Sequence, residues 1–279
     1  MIIGIVGLGL IGGSLAIDFK AQQHTVLGMS RRAETCQQAI ARGMVDHASA
    51  EPMLMADADV IFLCTPLAAL EPTVRTLLPY LAPRTILTDV GSVKTPVVNA
   101  IAPIWSNFVG GHPMAGTAEH GLDAAQANLF INRSYVLTPI DHTPTSSVDI
   151  VMQLARSLGA TVYHCQPSDH DRAVAWISHL PVMVSASLIT ACLKEDDSRV
   201  LKLAKILASS GFRDTSRVGG GNPELGLMMA QYNQTELVRS LHIYRDHLNQ
   251  IISAIERDDW QTLEETLQHT QHARHDFVN

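Results

Sequence analysis

The sequence predicts an α/β fold, an N-terminal doubly wound domain followed by an all-helical one, from three observations. Short β-rich apolar runs alternate with helix-spaced stretches through the first 165 residues. No strand pattern follows Pro167. Beyond the break Gly219-Gly220-Gly221-Asn222-Pro223, residues Leu237, Leu241, Tyr244, Leu248, Ile251 and Ile255 recur at alternating spacings of four and three, a helix-packing seam. The expected division is therefore 1–165 and 166–279, and a chain of 279 residues is long enough for two moderate domains.

The elements are expected in the following order. Residues 2–6 form a first strand, a glycine loop follows, and a helix runs to about Lys20. Residues 25–29 form the second strand. The runs 60–64 and 86–89 are apolar and end at proline or polar residues, as buried parallel strands do. Between them, Leu70, Val74, Leu77, Leu78 and Leu81 give 68–81 a helical spacing. Strands at 108–110, 135–138 and 161–163, with a helix over 147–158, complete this half. In the second half, 169–192 reads as one long helix that Pro181 should interrupt or kink. A charged turn at 194–198 and a helix over 200–209 follow.

Composition narrows the function. A hydrophobic content of 46% supports a real core, and 17% charged residues argues against disorder. The net charge of -7, with no basic run, argues against nucleic acid. Cys36, Cys64, Cys165 and Cys192 are scattered without a CxxC pair, which reads as reduced thiols in a cytoplasm. The uncharged stretch 1–17 lacks a basic leader, is rich in glycine and is short for a membrane span. His269, His272 and His275 are spaced by three but lack a carboxylate-histidine motif, so they read as solvated surface and no metal site is expected.

Gly7-Leu8-Gly9-Leu10-Ile11-Gly12 follows a strand and opens a helix, the order that a Rossmann-like dinucleotide site requires. Gly7 would make the tight turn, Gly9 would admit the pyrophosphate, and Gly12 would let helix and strand pack closely. The first helical turn at Leu10 and Ile11 would then present N–H groups to phosphate. The second strand ends in Ser30-Arg31-Arg32, with no acid to bind a ribose 2′-hydroxyl. Two guanidiniums and a hydroxyl suit a 2′-phosphate, so NADP is the expected cofactor, and a solvated basic turn is the alternative.

Cys64-Thr65-Pro66, Asp89-Val90-Gly91-Ser92-Val93-Lys94 and Gly110-Gly111-His112-Pro113-Met114-Ala115-Gly116 each stand at the carboxyl end of a strand. Ligands bind at that edge of an open α/β sheet. His112, among small residues that allow close approach, is the candidate catalytic group. Ser92 could bond His112 or a substrate hydroxyl, and Lys94 could bind or cap; both read equally as helix initiators. Asp169-His170-Asp171 reads mainly as capping. His179 lies in Trp176-Ile177-Ser178-His179-Leu180-Pro181. Arg213 and Arg217, four apart, would share a helix face and clamp a carboxylate, with a structural ion pair as the alternative for Arg213.

These six blocks, in this order, resemble the prephenate/arogenate dehydrogenase family, and especially its compact NADP-dependent arogenate dehydrogenases. The resemblance runs through most of the chain. It implies a Rossmann-like domain, a helical domain through which two subunits dimerise, and oxidative decarboxylation of a cyclohexadienol in tyrosine biosynthesis. It assigns catalysis to His112 with Ser92, and substrate binding to His179 and Arg217, with Arg213 close by. Many prephenate-using relatives carry a second histidine after the Ser-His-Leu-Pro block, where this chain has Val182, and that departure favours arogenate. More distant alternatives are a β-hydroxyacid or imine reductase and a non-catalytic NADP-sensing protein. The reductase would need a catalytic lysine in the helical part, where Lys194, Lys202 and Lys205 lie in no glycine-rich context.

Overall fold

The structure, a computed structural model, describes residues 1–117 and 119–278. Its centre is an eight-stranded sheet of β1 (Ile2–Val6), β2 (Thr25–Met29), β3 (His47–Ser49), β4 (Val60–Leu63), β5 (Ile86–Asp89), β6 (Phe108–Pro113), β7 (Ser134–Thr138) and β8 (Thr161–His164). The strand order is β3-β2-β1-β4-β5-β6-β7-β8. Its first six strands follow the doubly wound order, with the topological reversal between β1 and β4. β6 and β7 pair antiparallel, so the last two strands run against the rest.

Alternation along each strand builds two cores. Ile3, Ile5, Val60 and Phe62 face one side, where helix α1 (Leu10–Ala21) brings Leu15 and Phe19. Ile61, Leu63 and Leu87 face the other. After helix α2 (Ala33–Ala41), helix α3 (Leu67–Leu77) supplies Leu70, Val74 and Leu77 to that second side, and helix α4 (Thr95–Ile101) supplies Val97 and Ile101. Helix α5 (Thr145–Ser157) covers the first side with Val151 and Leu154. Side chains that alternate between two covered faces are what a continuous apolar run in a buried strand requires.

The second half is helical: α6 (Pro167–Val174), α7 (Leu180–Cys192), α8 (Ser198–Leu207), α9 (Ser210–Ser216), α10 (Pro223–Tyr232), α11 (Gln234–Glu256), α12 (Trp260–Ala273) and α13 (His275–Val278). The chain divides into two compact units, Met1–Asn233 and Gln234–Asn279. Helices α6 to α10 thus belong to the same compact unit as the sheet, and the expected division at 165 does not coincide with this one. The reason is polar as well as apolar. The Asp171 carboxylate on α6 accepts the backbone N–H groups of Lys94 and Thr95 at the start of α4, at 2.6 and 2.7 Å. The Asn233 amide donates to the Asp171 carbonyl at 2.8 Å.

Pro181 does not break the long helix. The turn before it, Ala175–His179, widens into a π-helix in which the Leu180 N–H reaches back five residues to the Ala175 carbonyl. A π-turn absorbs the missing proline N–H without ending the helix, and such turns recur at functional sites. By length and composition alone the stretch Pro167–Cys192 could cross a membrane. It nevertheless carries His170, Asp171, His179 and Ser185, all buried and all hydrogen-bonded within the fold. These buried polar groups pack one side of the stretch against the rest of the fold, while most of its other residues are partly or fully exposed.

Candidate active site

The glycine loop has the geometry its sequence implies. Gly7 adopts φ +104, and a Cβ there would lie 2.6 Å from the Cys64 carbonyl oxygen. A Cβ on Gly12 would lie 2.0 Å from the Gly7 carbonyl oxygen, so only glycine lets α1 sit this close to the β1 turn. A Cβ on Gly9 would meet nothing within 4 Å. Gly9 therefore faces open space at the start of α1, where the unpaired N–H groups of Leu10 and Ile11 favour an anion. Across the β1/β4 reversal, the Thr65 hydroxyl is buried without a partner among the described residues, and Pro66 turns the chain into α3. Burial, reinforced by the Asp89 charge, pushes the Cys64 thiol up and disfavours its thiolate. At the end of β2, Arg31 and Arg32 are exposed, and among the described residues neither guanidinium makes an ion pair. The Ser30 hydroxyl accepts the Arg32 backbone N–H at 3.3 Å. An open phosphate cradle, an orphan hydroxyl and two free guanidiniums fit a nicotinamide dinucleotide.

β6 carries His112 past its neighbour. Phe108 and Val109 pair with β5, whereas Gly110 to Pro113 pair only with β7, so His112 stands beyond the carboxyl edge of the parallel sheet. Its backbone is anchored from below by Lys94 and Asp89, both fully buried and ion-paired. Lys94 Nζ also donates to the Gly111 carbonyl at 2.7 Å, while the Asp89 carboxylate accepts the N–H groups of Gly91 and Gly111 at 2.8 and 3.1 Å. Lys94 Nζ is thus engaged as a structural anchor of this strand end.

The imidazole of His112 is held by a chain the sequence did not reveal. His112 Nδ1 lies 2.8 Å from His170 Nε2, and His170 Nδ1 lies 2.8 Å from Asp171 Oδ1. Burial opposes the charge on Asp171, but hydrogen bonds from His170, Thr95 and Lys94 hold its carboxyl below the usual range. An ionised carboxylate only accepts, so His170 Nδ1 carries a proton. In neutral His170 the Nε2 then accepts, so His112 Nδ1 donates and His112 Nε2 keeps a bare lone pair. Burial, then the neighbouring His170, Lys94 and His179, hold the His112 pKa well below 6.5. The result is a neutral base with its accepting nitrogen free.

Asp169-His170-Asp171 is therefore more than a cap. Asp171 does cap a helix, but it is α4, seventy-seven positions away from Lys94 in the bond it makes, and not its own. Ser92 is half-buried at the β5 edge and, among the described residues, makes no hydrogen bond to His112, whose Nδ1 is taken by His170. His179 is fully buried in the π-turn, and its Nε2 has no partner among the described residues. Arg213 and Arg217 do not share one helix: α9 ends at Ser216, and Arg217 opens a 3-10 turn. Arg213 pairs with its neighbour Asp214 at 3.3 Å. Arg217 is exposed, and its turn is clamped on α7. The Ser185 hydroxyl donates to the Thr215 carbonyl at 2.8 Å and accepts the Gly219 N–H at 2.9 Å, two residues to either side of Arg217.

A doubly wound sheet with a dinucleotide cradle and a neutral histidine base at its carboxyl edge defines a nicotinamide-dependent dehydrogenase. Comparison with known proteins specifies the family. Residues 14–164 match the prephenate dehydrogenase nucleotide-binding domain, and residues 166–269 match the prephenate dehydrogenase dimerization domain. The chain belongs to the prephenate dehydrogenase family. It is 29% identical over 269 residues to prephenate dehydrogenase of Bacillus subtilis, covering 93% of this chain and 71% of that one. It is 30% identical over 277 residues to cyclohexadienyl dehydrogenase of Zymomonas mobilis, covering 98% and 94%. Among solved structures, Synechocystis arogenate dehydrogenase matches with a TM-score of 0.92 and 52% identity, covering 100% of both chains. Prephenate dehydrogenase from A. aeolicus, in complex with hydroxyphenyl propionate and NAD+, matches with a TM-score of 0.92 and 25% identity, covering 99% and 98%.

Proposed function

We propose that the chain is an NADP-dependent arogenate dehydrogenase that forms tyrosine by oxidative decarboxylation. The observation that carries the chemistry is the His112-His170-Asp171 chain, which leaves His112 Nε2 as a free acceptor at the edge of the dinucleotide cradle. Arogenate as substrate is supported by the 52% identity to an arogenate dehydrogenase along the whole chain and by Val182 in place of a second histidine. NADP is supported by Arg31 and Arg32 beside Ser30, with no acid at the end of β2. The dimerization domain of the family match, and the exposed apolar residues Tyr244, Leu248, Ile252 and Ile255 on α11, support a homodimer. The functional division we infer is a cofactor-binding half, 1–165, and a substrate-binding and dimerising half, 166–279, in a cytoplasmic enzyme.

Gly7, Gly9, Leu10, Ile11 and Gly12 would hold the pyrophosphate, Ser30, Arg31 and Arg32 the 2′-phosphate, and Cys64, Thr65 and Pro66 the facing wall. When bound, the nicotinamide supplies a two-electron acceptor for hydride. His112 Nε2 takes the proton of the substrate hydroxyl as hydride leaves the carbon that bears it. That carbon becomes a carbonyl, and the ring carboxylate departs as carbon dioxide. The electron pair left behind makes the ring aromatic, and His112 returns its proton to the same oxygen as the phenol. Arg217, with Arg213 nearby, holds a carboxylate, and Ser92 lies within the edge that receives the hydroxyl. Because aromatisation drives the reaction, these residues act chiefly by positioning.

The deciding experiment follows nicotinamide absorbance with arogenate and with prephenate, each with NADP and with NAD. Highest kcat/KM is expected for arogenate with NADP. A higher value for prephenate, as the names of several relatives would suggest, replaces the substrate assignment. No turnover with either would sink the enzyme reading and leave a cofactor-sensing protein.

A further inference from the structure

The buried polar groups around His179 resolve its protonation pattern through a residue outside every sequence motif. The side-chain Nδ2 of Asn233 lies 2.8 Å from the Asp171 carbonyl oxygen and 3.1 Å from His179 Nδ1. A backbone carbonyl only accepts, so the atom facing it must be the amide nitrogen. The same nitrogen can only donate to His179 Nδ1. That ring nitrogen therefore holds its lone pair, and the ring proton sits on Nε2. Asn233 is itself buried, and its backbone N–H is tied to the Met229 carbonyl at 3.0 Å, so the amide is fixed in place. His179 Nε2 is buried and has no partner among the described residues. A buried donor left unpaired is costly, and an acceptor oxygen of a bound substrate would satisfy it.

We propose that Asn233 is a positioning residue that locks His179 in the Nε2–H tautomer, so that His179 serves as a neutral donor to an acceptor oxygen of the substrate, a carboxylate or carbonyl oxygen. The lock is the mirror image of the one on His112. Asp171, through His170, strips the outer nitrogen of His112, whereas Asn233, standing on the Asp171 carbonyl, puts the proton on the outer nitrogen of His179. One residue thereby supports an acceptor and a donor of opposite sense. Burial keeps the His179 ring neutral, with a pKa lowered to about 4; the Asp171 charge works against that and His170 with it. The assignment of substrate to His179 rests on the reading under Proposed function, whereas the tautomer does not.

The test is side-chain 15N NMR of the full-length protein labelled at histidine, with steady-state kinetics on arogenate. Wild-type His179 is expected as a neutral ring protonated on Nε2 at pH 7. Asn233→Asp places an acceptor beside Nδ1, and is expected to move the proton to Nδ1 and raise KM by about 10- to 100-fold. The affinity for NADP, measured separately, should stay within about twofold. Asn233→Ala, which removes the lock without reversing it, should give mixed tautomers and a smaller rise in KM. A wild-type His179 protonated on Nδ1, or an Asn233→Asp protein with unchanged tautomer and KM, overturns the proposal. Unchanged KM in His179→Ala removes the substrate from His179 instead, and is separable because it leaves the wild-type tautomer untouched.

Discussion

His112 Nδ1 and His170 Nε2 stand 2.8 Å apart with their rings tilted by 70°, joining a strand end to a helix fifty-eight positions away. The contact matters because it selects which nitrogen of His112 is left to react. A base whose inner nitrogen is engaged this way needs no reorganisation when it takes a proton, and the imidazolium formed is stabilised by Asp171 at the far end.

Replacing the base itself should cost most. His112→Ala is expected to lower kcat by about 10²–10⁴ with cofactor affinity nearly intact. His170→Ala, which frees the ring without removing it, should lower kcat by about 10- to 100-fold. Stopped-flow measurement of hydride transfer in both variants checks the order. A His170→Ala enzyme as fast as wild type would remove the relay from catalysis.

Two glycines of the loop should separate folding from binding. Gly9 faces open space, so Gly9→Ala keeps its melting temperature and weakens NADP binding by blocking the approach of the pyrophosphate. Gly12 is pressed against the Gly7 carbonyl, so Gly12→Ala forces α1 off the sheet and lowers the melting temperature as well. Calorimetry without cofactor, followed by titration with it, distinguishes the two; equal melting losses would contradict the loop geometry.

Much of this site is legible in the sequence because the relevant signals are local. A glycine loop between a strand and a helix, and His112 in a small-residue turn, are each read within a dozen residues. The relay is not local. His170 looks like part of a helix start, and only the fold brings it to His112. Asp171 carries the acidic signature of a cap, yet the helix it caps is α4, because sequence periodicity reports a face and not what meets it. Asn233 belongs to no motif, and its role depends on a carbonyl from α6 and an imidazole from the π-turn. The edge strand β3 escaped for another reason: His47-Ala48-Ser49 is short and polar, without the apolar run that marks a central strand. Ser92, a candidate partner of His112 or of a substrate hydroxyl, makes no hydrogen bond to His112 among the described residues, and His170 from α6 engages His112 Nδ1 instead.

The Lys94–Asp89 pair predicts a stability phenotype more than a kinetic one. Lys94→Met leaves the Asp89 charge buried and unpaired, a change that costs about 3–5 kcal/mol in comparable settings. Asp89 also takes the Gly111 N–H, so the strand end below His112 loosens with it. The expected result is a lower urea midpoint and poor soluble yield, with residual activity recovered at low temperature. A Lys94→Met protein of normal stability and no activity would instead place Lys94 among the reacting groups.

The same buried histidines should make the enzyme acid-labile in a defined window. His179 falls from 6.5 to about 4 on folding, chiefly through burial, and His112 also falls well below 6.5. Between those values the unfolded chain binds protons that the folded chain excludes, so stability is full above pH 6.5 and declines as pH drops toward 4. For His179 alone the decline amounts to about 3 kcal/mol across the window. Asp171, held low in the fold, adds its loss only below its ordinary value of 3.8. The activity of His112 should follow the same direction, with kcat/KM level at pH 7 and falling only below 6.5 as the base is protonated. Urea midpoints at pH 7.5 and pH 5 are expected to differ for the wild-type protein, and to differ less for His179→Gln, which cannot titrate. Equal slopes in the two proteins would mean that His179 is not the group excluded from protonation, and that its ring is open to solvent in the folded state.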